Sequence, residues 1–376
     1  MNRNLGTIFT VAAAFFLGQS LLTCASSAQD SGDMLKLNQI QVIGTHNSYH
    51  AGIPPNASKL WQEKNPQLFD GLDYQHRPLT EQFDSGVRQI ELDVFADSKG
   101  GRYAHPNGPN LVAAAHLPPD PPFDPHGVML KPGFKVMHIQ DLDYVSTCQP
   151  FVACLKEVRL WSHAHPHHIP IFILVETKQG KAHPPEQPTV PETFTSATFD
   201  ALDAEIRSVF PPREMITPDD VRGHYKTLNE AILAGDWPTL ASARGKVVFL
   251  MDQRPVGPVY LEGHPSLRGR VLFTNAVPGE PDAAFTEMND GPADKITELV
   301  RQGYLVRART DSDTKQARTD DTTTRDAMIA SGAQILSTDY PASEPAKWEG
   351  HYSVSLPGNA VVRCDPVNTQ AGCAVR

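Results

Sequence analysis

Eight short β-rich runs, most of them continuously apolar, recur along this chain of 376 residues. They cover Ile40–Gly44, Val87–Phe95, Phe134–His138, Ile169–Glu176, Lys246–Asp252, Arg270–Asn275, Tyr304–Arg309 and Ala333–Thr338. Continuous apolar runs are typical of parallel strands that are buried on both faces. Helical patterns separate several of the runs, at Thr80–Gly86, Phe151–His163, Thr198–Phe210, Asp294–Gln302 and Thr323–Ser331. Eight strands that alternate with helices predict an α/β fold, a single TIM-type (β/α)8 barrel, regular or distorted, with long top-face loops.

The barrel is expected to cover residues 29–341, followed by a C-terminal extension over residues 342–376. Before the barrel, Arg3, an apolar run and small residues at 25–28 predict a signal peptide over residues 1–28. The apolar run, Thr7–Leu22, is shorter than the about 20 residues that a membrane span needs. The chain is therefore expected to be secreted, to the periplasm or the medium. Lipoprotein anchoring through Cys24 is the weaker alternative, because no small residue precedes that cysteine.

Cysteine count and charge limit the remaining classes. The four cysteines that follow the predicted signal peptide are Cys148, Cys154, Cys364 and Cys373. An even number in an exported chain predicts disulfides, and the local pairs 148–154 and 364–373 are the simplest of three connectivities. A four-thiol zinc site is less favoured, because no Cys-x-x-Cys spacing occurs. The net charge of -10 argues against a nucleic-acid partner. No later stretch is apolar enough to span a membrane, and a monomer is expected.

Polar side chains stand at the carboxyl ends of the predicted strands, where barrel enzymes form their active sites. They are His46, Asn47, Glu91, Asp93, His138, Glu176, Lys178, Asp252, Asn275, Arg307, Arg309, Asp339 and Tyr340. Glu91 and Asp93, two residues apart on one strand, point to the same side. A carboxylate such as Glu176, at the end of the apolar run IFILVE, is costly to bury unless it is paired or binds a metal.

The residue types indicate a chemistry. Asn47, Glu91, Asp93 and Glu176 together form an oxygen-only set suited to Ca²⁺ or Mg²⁺. Two histidines beside such a cation are the parts that acid–base phosphoryl transfer needs, one to remove a proton from the attacking hydroxyl and one to protonate the leaving alkoxide.

Four segments carry a family resemblance: QVIGTHNSYH (41–50), RQIELDVF (88–95), KVMH (135–138) and ILVETK (173–178). They resemble the catalytic barrel of the secreted, calcium-dependent bacterial phosphoinositide-specific phospholipases C, within the PLC-like phosphodiesterase superfamily. The resemblance implies that His46 and His138 are the general base and acid. It also implies that Asn47, Glu91, Asp93 and Glu176 bind calcium. His105, His116 and His126 are weaker candidates for the acid, because they lie in the Pro-rich connection Ala96–Pro132, whereas His138 ends an apolar run.

The implied reaction is cleavage of phosphatidylinositol at a membrane surface. The inositol 2-hydroxyl would attack the phosphodiester, and diacylglycerol and a cyclic or open inositol phosphate would result. Lys178, Arg307, Arg309 and Tyr340 are the predicted substrate-binding residues. The two arginines could instead pair with nearby aspartates, and Tyr340 could anchor a loop. Apolar residues of the segment 112–125 are candidates for shallow membrane insertion.

Two alternative functions share parts of this pattern. A glycerophosphodiester phosphodiesterase has the same barrel logic but usually has His-Arg-Gly where His46-Asn47 stands here. An inactive lipid- or glycan-binding barrel would lack a histidine or a metal ligand, and none is missing.

A cluster of histidines, His163, His165, His167 and His168, precedes the fourth strand. The start of a barrel strand lies on the face opposite the active site. The cluster is therefore predicted to be a solvated turn rather than a zinc site.

Overall fold

The computed structural model describes residues 1, 32, 34–181 and 188–375, so that the predicted signal peptide, Cys24 included, lies outside the described part apart from residue 1. The strands are β1 Ile40–Thr45, β2 Gln89–Phe95, β3 Lys135–Val136, β4 Ile171–Lys178, β5 Met215–Ile216, β6 Val247–Met251, β7 Phe285–Glu287, β8 Leu305–Arg309, β9 Ile335–Thr338 and β10 Val362–Cys364. The α-helices are α1 Pro55–Lys64, α2 Pro66–Gly71, α3 Leu79–Asp84, α4 Gly108–Ala114, α5 Phe151–Ala164, α6 Ser196–Val209, α7 Pro218–Arg222, α8 Leu228–Leu233, α9 Leu240–Ala243, α10 Gly257–Tyr260, α11 Ala293–Gln302, α12 Lys315–Thr319 and α13 Thr323–Ser331. Short 3₁₀ helices occupy Leu37–Gln39, Val128–Leu130, Pro212–Glu214, Arg254–Val256, Pro265–Leu267 and Pro357–Asn359.

Parallel strands form a curled sheet in the order β5-β6-β4-β2-β1-β9-β8-β7. Two isolated parallel bridges, Leu250 with Phe273 and Asn275 with Phe285, connect β6 to β7 through the segment 273–275. The path therefore returns on itself, as a barrel requires. β4 is buried from Ile171 to Val175, in agreement with its continuous apolar sequence. The predicted α/β barrel is confirmed in its distorted form.

The predicted third barrel strand, Phe134–His138, is wrong. Only Lys135–Val136 forms a strand, and it runs antiparallel to the end of β2, so that β2 pairs directly with β4. β7, of three residues, enters the ring beside β8 instead. The predicted sixth strand, Arg270–Asn275, contributes isolated bridges rather than a ladder. A run of five residues does not encode strand direction, which depends on the partner that its backbone meets.

The predicted helices are confirmed within a few residues. α5 covers Phe151–Ala164 and α6 covers Ser196–Val209, with Phe199, Leu202 and Ile206 buried. Gly303 and Gly332, expected at helix ends, have left-handed φ angles of 100° and 84°. Glycine adopts this conformation without the steric cost that a Cβ adds, and it therefore ends α11 and α13.

The connection after β2 is ordered and packs inward. Val112, on α4, is buried in a small apolar cluster with Trp61 and Leu142, and Leu111 and Leu117 pack against that cluster. Phe123 contacts Tyr144 edge to face, with ring centroids 5.0 Å apart. Val112 is thus committed to the interior, whereas Leu111, Leu117 and Phe123 keep part of their surface exposed, and for these three membrane insertion stays a prediction.

The C-terminal segment adds a short strand beside β1. β10 pairs antiparallel with β1 at Ile40–Val42, next to the Cys364–Cys373 disulfide. The second predicted disulfide, Cys148–Cys154, ties the start of α5 to the loop before it. Both predicted local pairs are thus confirmed. Among the described residues no helix has the length and apolar character of a membrane span.

Candidate active site

Both predicted catalytic histidines line one cavity of about 710 Å³ at the barrel mouth. His46 directly follows β1, and His138 lies two residues beyond β3. Tyr74, Arg309 and Asp339 line the same cavity. The antiparallel turn of the chain after β2 is what carries His138 back over the strand ends. Although β3 is not the barrel strand that the sequence predicts, His138 still lies at the barrel mouth, as predicted.

His46 is oriented by Asp339. Its Nδ1 lies 2.7 Å from Asp339 Oδ1 and 3.4 Å from the Tyr74 hydroxyl. Because a carboxylate only accepts hydrogen bonds, the short contact assigns the proton to Nδ1 and leaves Nε2 as the basic atom. Burial, with help from Arg309, lowers the pKa of His46 well below its usual value. The ring is therefore neutral at pH 7 and able to accept a proton.

His138 is oriented in the same way by Asp143. Its Nδ1 lies 2.9 Å from Asp143 Oδ2. Burial lowers the pKa of His138, and the hydrogen bond to Asp143 offsets this only in part. Burial opposes ionisation of Asp143, yet His50 and His138 hold its pKa below the usual range, so that it stays a carboxylate. The imidazolium form of His138 accordingly gives up its proton more readily than an ordinary imidazolium.

The weaker candidates for the acid lie elsewhere. His105, His116 and His126 are all exposed, and the cavity that His46 lines does not include them. The geometry thus favours His138, as its position after an apolar run predicts.

The three carboxylates predicted to bind the metal lie together, Glu91 and Asp93 buried and Glu176 partly exposed. One oxygen each of Glu91, Asp93 and Glu176 lie within 4.8 Å of one another, and the register of β2 with β4 sets Asp93 opposite Glu176. Neither oxygen of Asp93 accepts a hydrogen bond from a described residue, although the side chain is fully buried. Buried carboxylate oxygens that accept no hydrogen bond are suited to hold a cation, and an all-oxygen set fits a calcium ion.

Asn47, the fourth predicted ligand, is buried at the turn that follows β1. Its backbone is left-handed, with φ of 45°, a conformation that asparagine tolerates better than most residues. The next residue, Ser48, exchanges hydrogen bonds with the backbone of Glu91, which holds the end of β1 against β2. The Asn47 amide nitrogen donates to the Tyr74 hydroxyl at 2.8 Å, and its carbonyl oxygen accepts from the Tyr49 hydroxyl at 3.4 Å.

Two cations compensate the carboxylates. Lys178 Nζ forms an ion pair with Asp93 Oδ2 at 3.0 Å. It also donates a hydrogen bond to Glu176 Oε1 at 3.1 Å. Arg307 pairs with Glu91 and also donates to Asn289 and Ser337. Burial raises the pKa of Glu91 to about 7 and raises that of Asp93 well above its usual value. For Glu176 burial is outweighed by Lys178, and its pKa is lowered.

The other predicted substrate-binding residues, Arg309, Arg307 and Tyr340, do not line one common cavity. Arg309 lines the histidine cavity and pairs with Asp339 at 3.1 Å. Arg307 is almost fully buried beside the carboxylates. Tyr340 borders a second cavity, of about 640 Å³, where its ring packs edge to face against Trp348 at 6.2 Å.

Sequence reasoning missed three residues of this site: His50, Tyr74 and Asp143. Asp143 follows His138 by five residues, and His50 follows His46 by four, but neither spacing is a known signal for a hydrogen bond. Tyr74 lies in the loop after α2, far from every predicted strand. Asp339 is a predicted strand-end residue, but no sequence pattern indicates its contact with His46.

The histidine cluster before β4 lies away from the cavity. His163, His165 and His167 are exposed, as the solvated-turn prediction requires. His168 differs from that prediction, because it is buried and its Nε2 lies 2.7 Å from the Ser162 hydroxyl. Its ring also packs against Trp161, with ring centroids 5.5 Å apart.

Comparison with known proteins gives a family and a fold. The family model described as calcium-dependent phosphoinositide phospholipase C matches residues 35–366. A structure of the calcium-dependent phosphoinositol-specific phospholipase C from the Gram-negative Pseudomonas sp. is 16% identical and covers 89% of this chain and 96% of its own, with a TM-score of 0.54. A second Pseudomonas sp. structure, a myo-inositol complex, has the same identity and TM-score and covers 89% and 97%. A calcium-dependent phosphatidylinositol-specific phospholipase C from Streptomyces antibioticus is 20% identical, covers 81% and 95%, and has a TM-score of 0.47. No curated protein matches the chain.

Proposed function

Because the chain belongs to the calcium-dependent phosphoinositide phospholipase C family, we propose that it cleaves phosphatidylinositol to diacylglycerol and an inositol phosphate. The observation that carries this proposal is the pair of histidines on one cavity, each fixed through Nδ1 by a carboxylate, beside a cluster of three carboxylates. Two oriented bases that can exchange roles are what a cyclisation followed by hydrolysis requires.

In the first step His46 Nε2 removes the proton from the inositol 2-hydroxyl. That oxygen attacks phosphorus, the bond from phosphorus to the glycerol oxygen breaks, and His138 gives its proton to the departing alkoxide. The products are diacylglycerol and a cyclic inositol phosphate. In a second step water opens the ring while the two histidines exchange roles.

Asn47, Glu91, Asp93 and Glu176 would hold the calcium ion. When bound, calcium offsets charge on the phosphate and makes the attacking hydroxyl more acidic.

The four predicted substrate-binding residues divide by their surroundings. Lys178 and Arg309, which border the carboxylates and the histidine cavity respectively, are proposed to contact the phosphate and the inositol. Both terminal nitrogens of Arg307 donate to Glu91 and neighbouring side chains, and Arg307 is therefore assigned to the support of those carboxylates. Tyr340 belongs to the neighbouring cavity, where stacking on a sugar ring stays a prediction.

Export and a monomeric state complete the proposal. The two disulfides support an oxidising compartment. Both cross-links are local and leave no described cysteine to join a second chain.

The test uses vesicles of defined phosphatidylinositol and phosphorus NMR of the water-soluble product. We expect a cyclic inositol phosphate in the presence of Ca²⁺ and no product in a calcium chelator. Glu176→Gln should raise the calcium concentration required, whereas Glu298→Gln, an exposed change on α11, should not. Glycerol phosphate released from glycerophosphoinositol would favour a glycerophosphodiesterase instead, and binding without turnover would favour an inactive barrel.

A further inference from the structure

A second histidine, His50, lies behind the residue that holds His138. His50 Nε2 is 2.7 Å from Asp143 Oδ2, and His138 Nδ1 is 2.9 Å from the same oxygen. The side chains of His50 and Asp143 are both fully buried. The other carboxylate oxygen, Asp143 Oδ1, has no hydrogen-bond partner among the described residues. Within the described part of the chain, the hydrogen bonds that hold the Asp143 carboxylate therefore come from the two imidazoles.

The hydrogen bonds have only one consistent assignment. The carboxylate of Asp143 can only accept, so that each imidazole must donate to it. His138 thus carries a proton on Nδ1, and His50 carries one on Nε2. A carboxylate oxygen that accepts from one side only can rotate away, whereas donors on two sides fix it in place.

His50 itself is fixed by its backbone. Its N–H donates to the Asn47 carbonyl at 2.8 Å, and its own carbonyl accepts from the His76 N–H at 2.8 Å. The ring packs against Tyr74, with centroids 4.6 Å apart. His50 is therefore a rigid donor that extends from the segment carrying His46 toward the segment carrying His138.

We infer that His50 is a positioning residue for proton donation: it anchors the Asp143 oxygen that keeps His138 in its tautomer and orientation. The inference rests on the proposed function, since it assigns His50 to the acid side of that reaction. His50 acts through Asp143 and does not touch the reacting atoms. Outer groups that orient a functional histidine commonly contribute a measurable part of its activity.

The experiment compares His50→Leu with His50→Gln, whose amide N–H can replace the Nε2 donor. The control is His126→Leu, an exposed change. Rates are measured on phosphatidylinositol and on an inositol phosphodiester with a phenolate leaving group, which needs little protonation. We expect His50→Leu to lose about 10- to 100-fold on the lipid, part of the 10²–10⁴ that general acid catalysis supplies. The loss on the activated substrate should be much smaller, and His50→Gln should recover most of the lipid rate.

A structural role alone would lower both rates together. Equal losses on the two substrates, an unchanged lipid rate in His50→Leu, or a Gln variant no better than the Leu variant would each overturn the inference.

Nitrogen NMR of the His138 ring supplies a readout that needs no turnover. The Nδ1–H tautomer should dominate in the wild type and in His50→Gln and should become mixed in His50→Leu. The same tautomer in all three would also overturn the inference. A tautomer change in a protein whose wild type cleaves neither substrate would reject the proposed function and still support the anchoring.

Discussion

The two proposed catalytic histidines have the same support at the residue scale, a carboxylate on Nδ1, but different surroundings. Asp339 holds His46 and also pairs with Arg309, whereas Asp143 holds His138 and pairs with a second imidazole. A guanidinium beside His46 opposes its protonation, which suits a base. The surroundings thus match the separate tasks that the reaction assigns to the two rings.

Replacement of the group behind His46 should impair the base. In Asp339→Asn the amide no longer fixes the proton on Nδ1, and we expect a loss of about 10²–10⁴ in kcat. Because the inositol hydroxyl needs its base whatever the leaving group, the phenolate substrate should show a similar loss. Asp313→Asn, an exposed change at the rim of the same cavity, is the matched control. An Asp339→Asn enzyme that the phenolate substrate rescues would place Asp339 on the acid side instead.

His168 should make stability depend on pH. Burial is the main cause that lowers its pKa to about 4. Since the folded pKa is below the unfolded value, the contribution to stability is complete above about pH 6.5 and is lost as the pH falls toward 4. Between about pH 7 and pH 4 the wild type should lose up to about 3 kcal/mol more unfolding free energy than His168→Gln. Urea unfolding at both pH values measures the difference, and parallel pH profiles of the two proteins would contradict it.

Two elements far apart in the chain show how neighbours decide the role of a strand. β3 has a strand-forming sequence, but the loop that follows β2 returns it in the antiparallel direction at the barrel mouth. β10 pairs with the first half of β1, so that β1 and β2 pair only at Gly44 and Gln89. The C-terminal segment therefore occupies the gap between the first two barrel strands.

The disulfide beside β10 should stabilise this arrangement. In the chain-entropy model a short loop of this kind contributes roughly 2–3 kcal/mol. The double variant Cys364→Ser with Cys373→Ser should lose that much unfolding free energy and therefore have a lower melting temperature. Its rate on phosphatidylinositol at low temperature should be unchanged. Thermal unfolding monitored by circular dichroism tests it. An unchanged melting temperature would mean that β10 is held by its hydrogen bonds alone.

At the scale of the whole molecule, an acidic chain of net charge -10 concentrates three carboxylates in the barrel mouth. Lys178 and Arg307 compensate them only in part, because Asp93 keeps two oxygens without hydrogen bonds from the described residues. Burial of carboxylates without full compensation opposes folding. A ligand that binds only the folded state offsets this cost.

Calcium should therefore raise the melting temperature. At about a hundredfold excess over Kd the stabilisation amounts to about 2.7 kcal/mol. Asp93→Asn should abolish most of this calcium-dependent shift and should raise the stability of the calcium-free protein, since it removes a buried charge. Glu298→Gln should leave the shift intact. Equal calcium shifts in wild type and Asp93→Asn would remove Asp93 from the ligand set.

What the sequence determined by itself is what short segments encode. The apolar runs of β1, β2, β4, β6, β8 and β9 predict buried parallel strands, and the glycines after α11 and α13 predict their ends. The strand-end motifs, His46-Asn47 and Glu91 with Asp93, predict a site at the mouth, because side-chain direction follows the local backbone. The tertiary structure decided the direction of β3, the entry of β7 into the ring, and the pairing of Arg307 with Glu91 across 216 residues. It also decided that one oxygen of Asp143 serves two histidines. These features depend on contacts between segments that are far apart in the sequence, and on which charged groups become buried next to each other. A local sequence pattern contains neither kind of information.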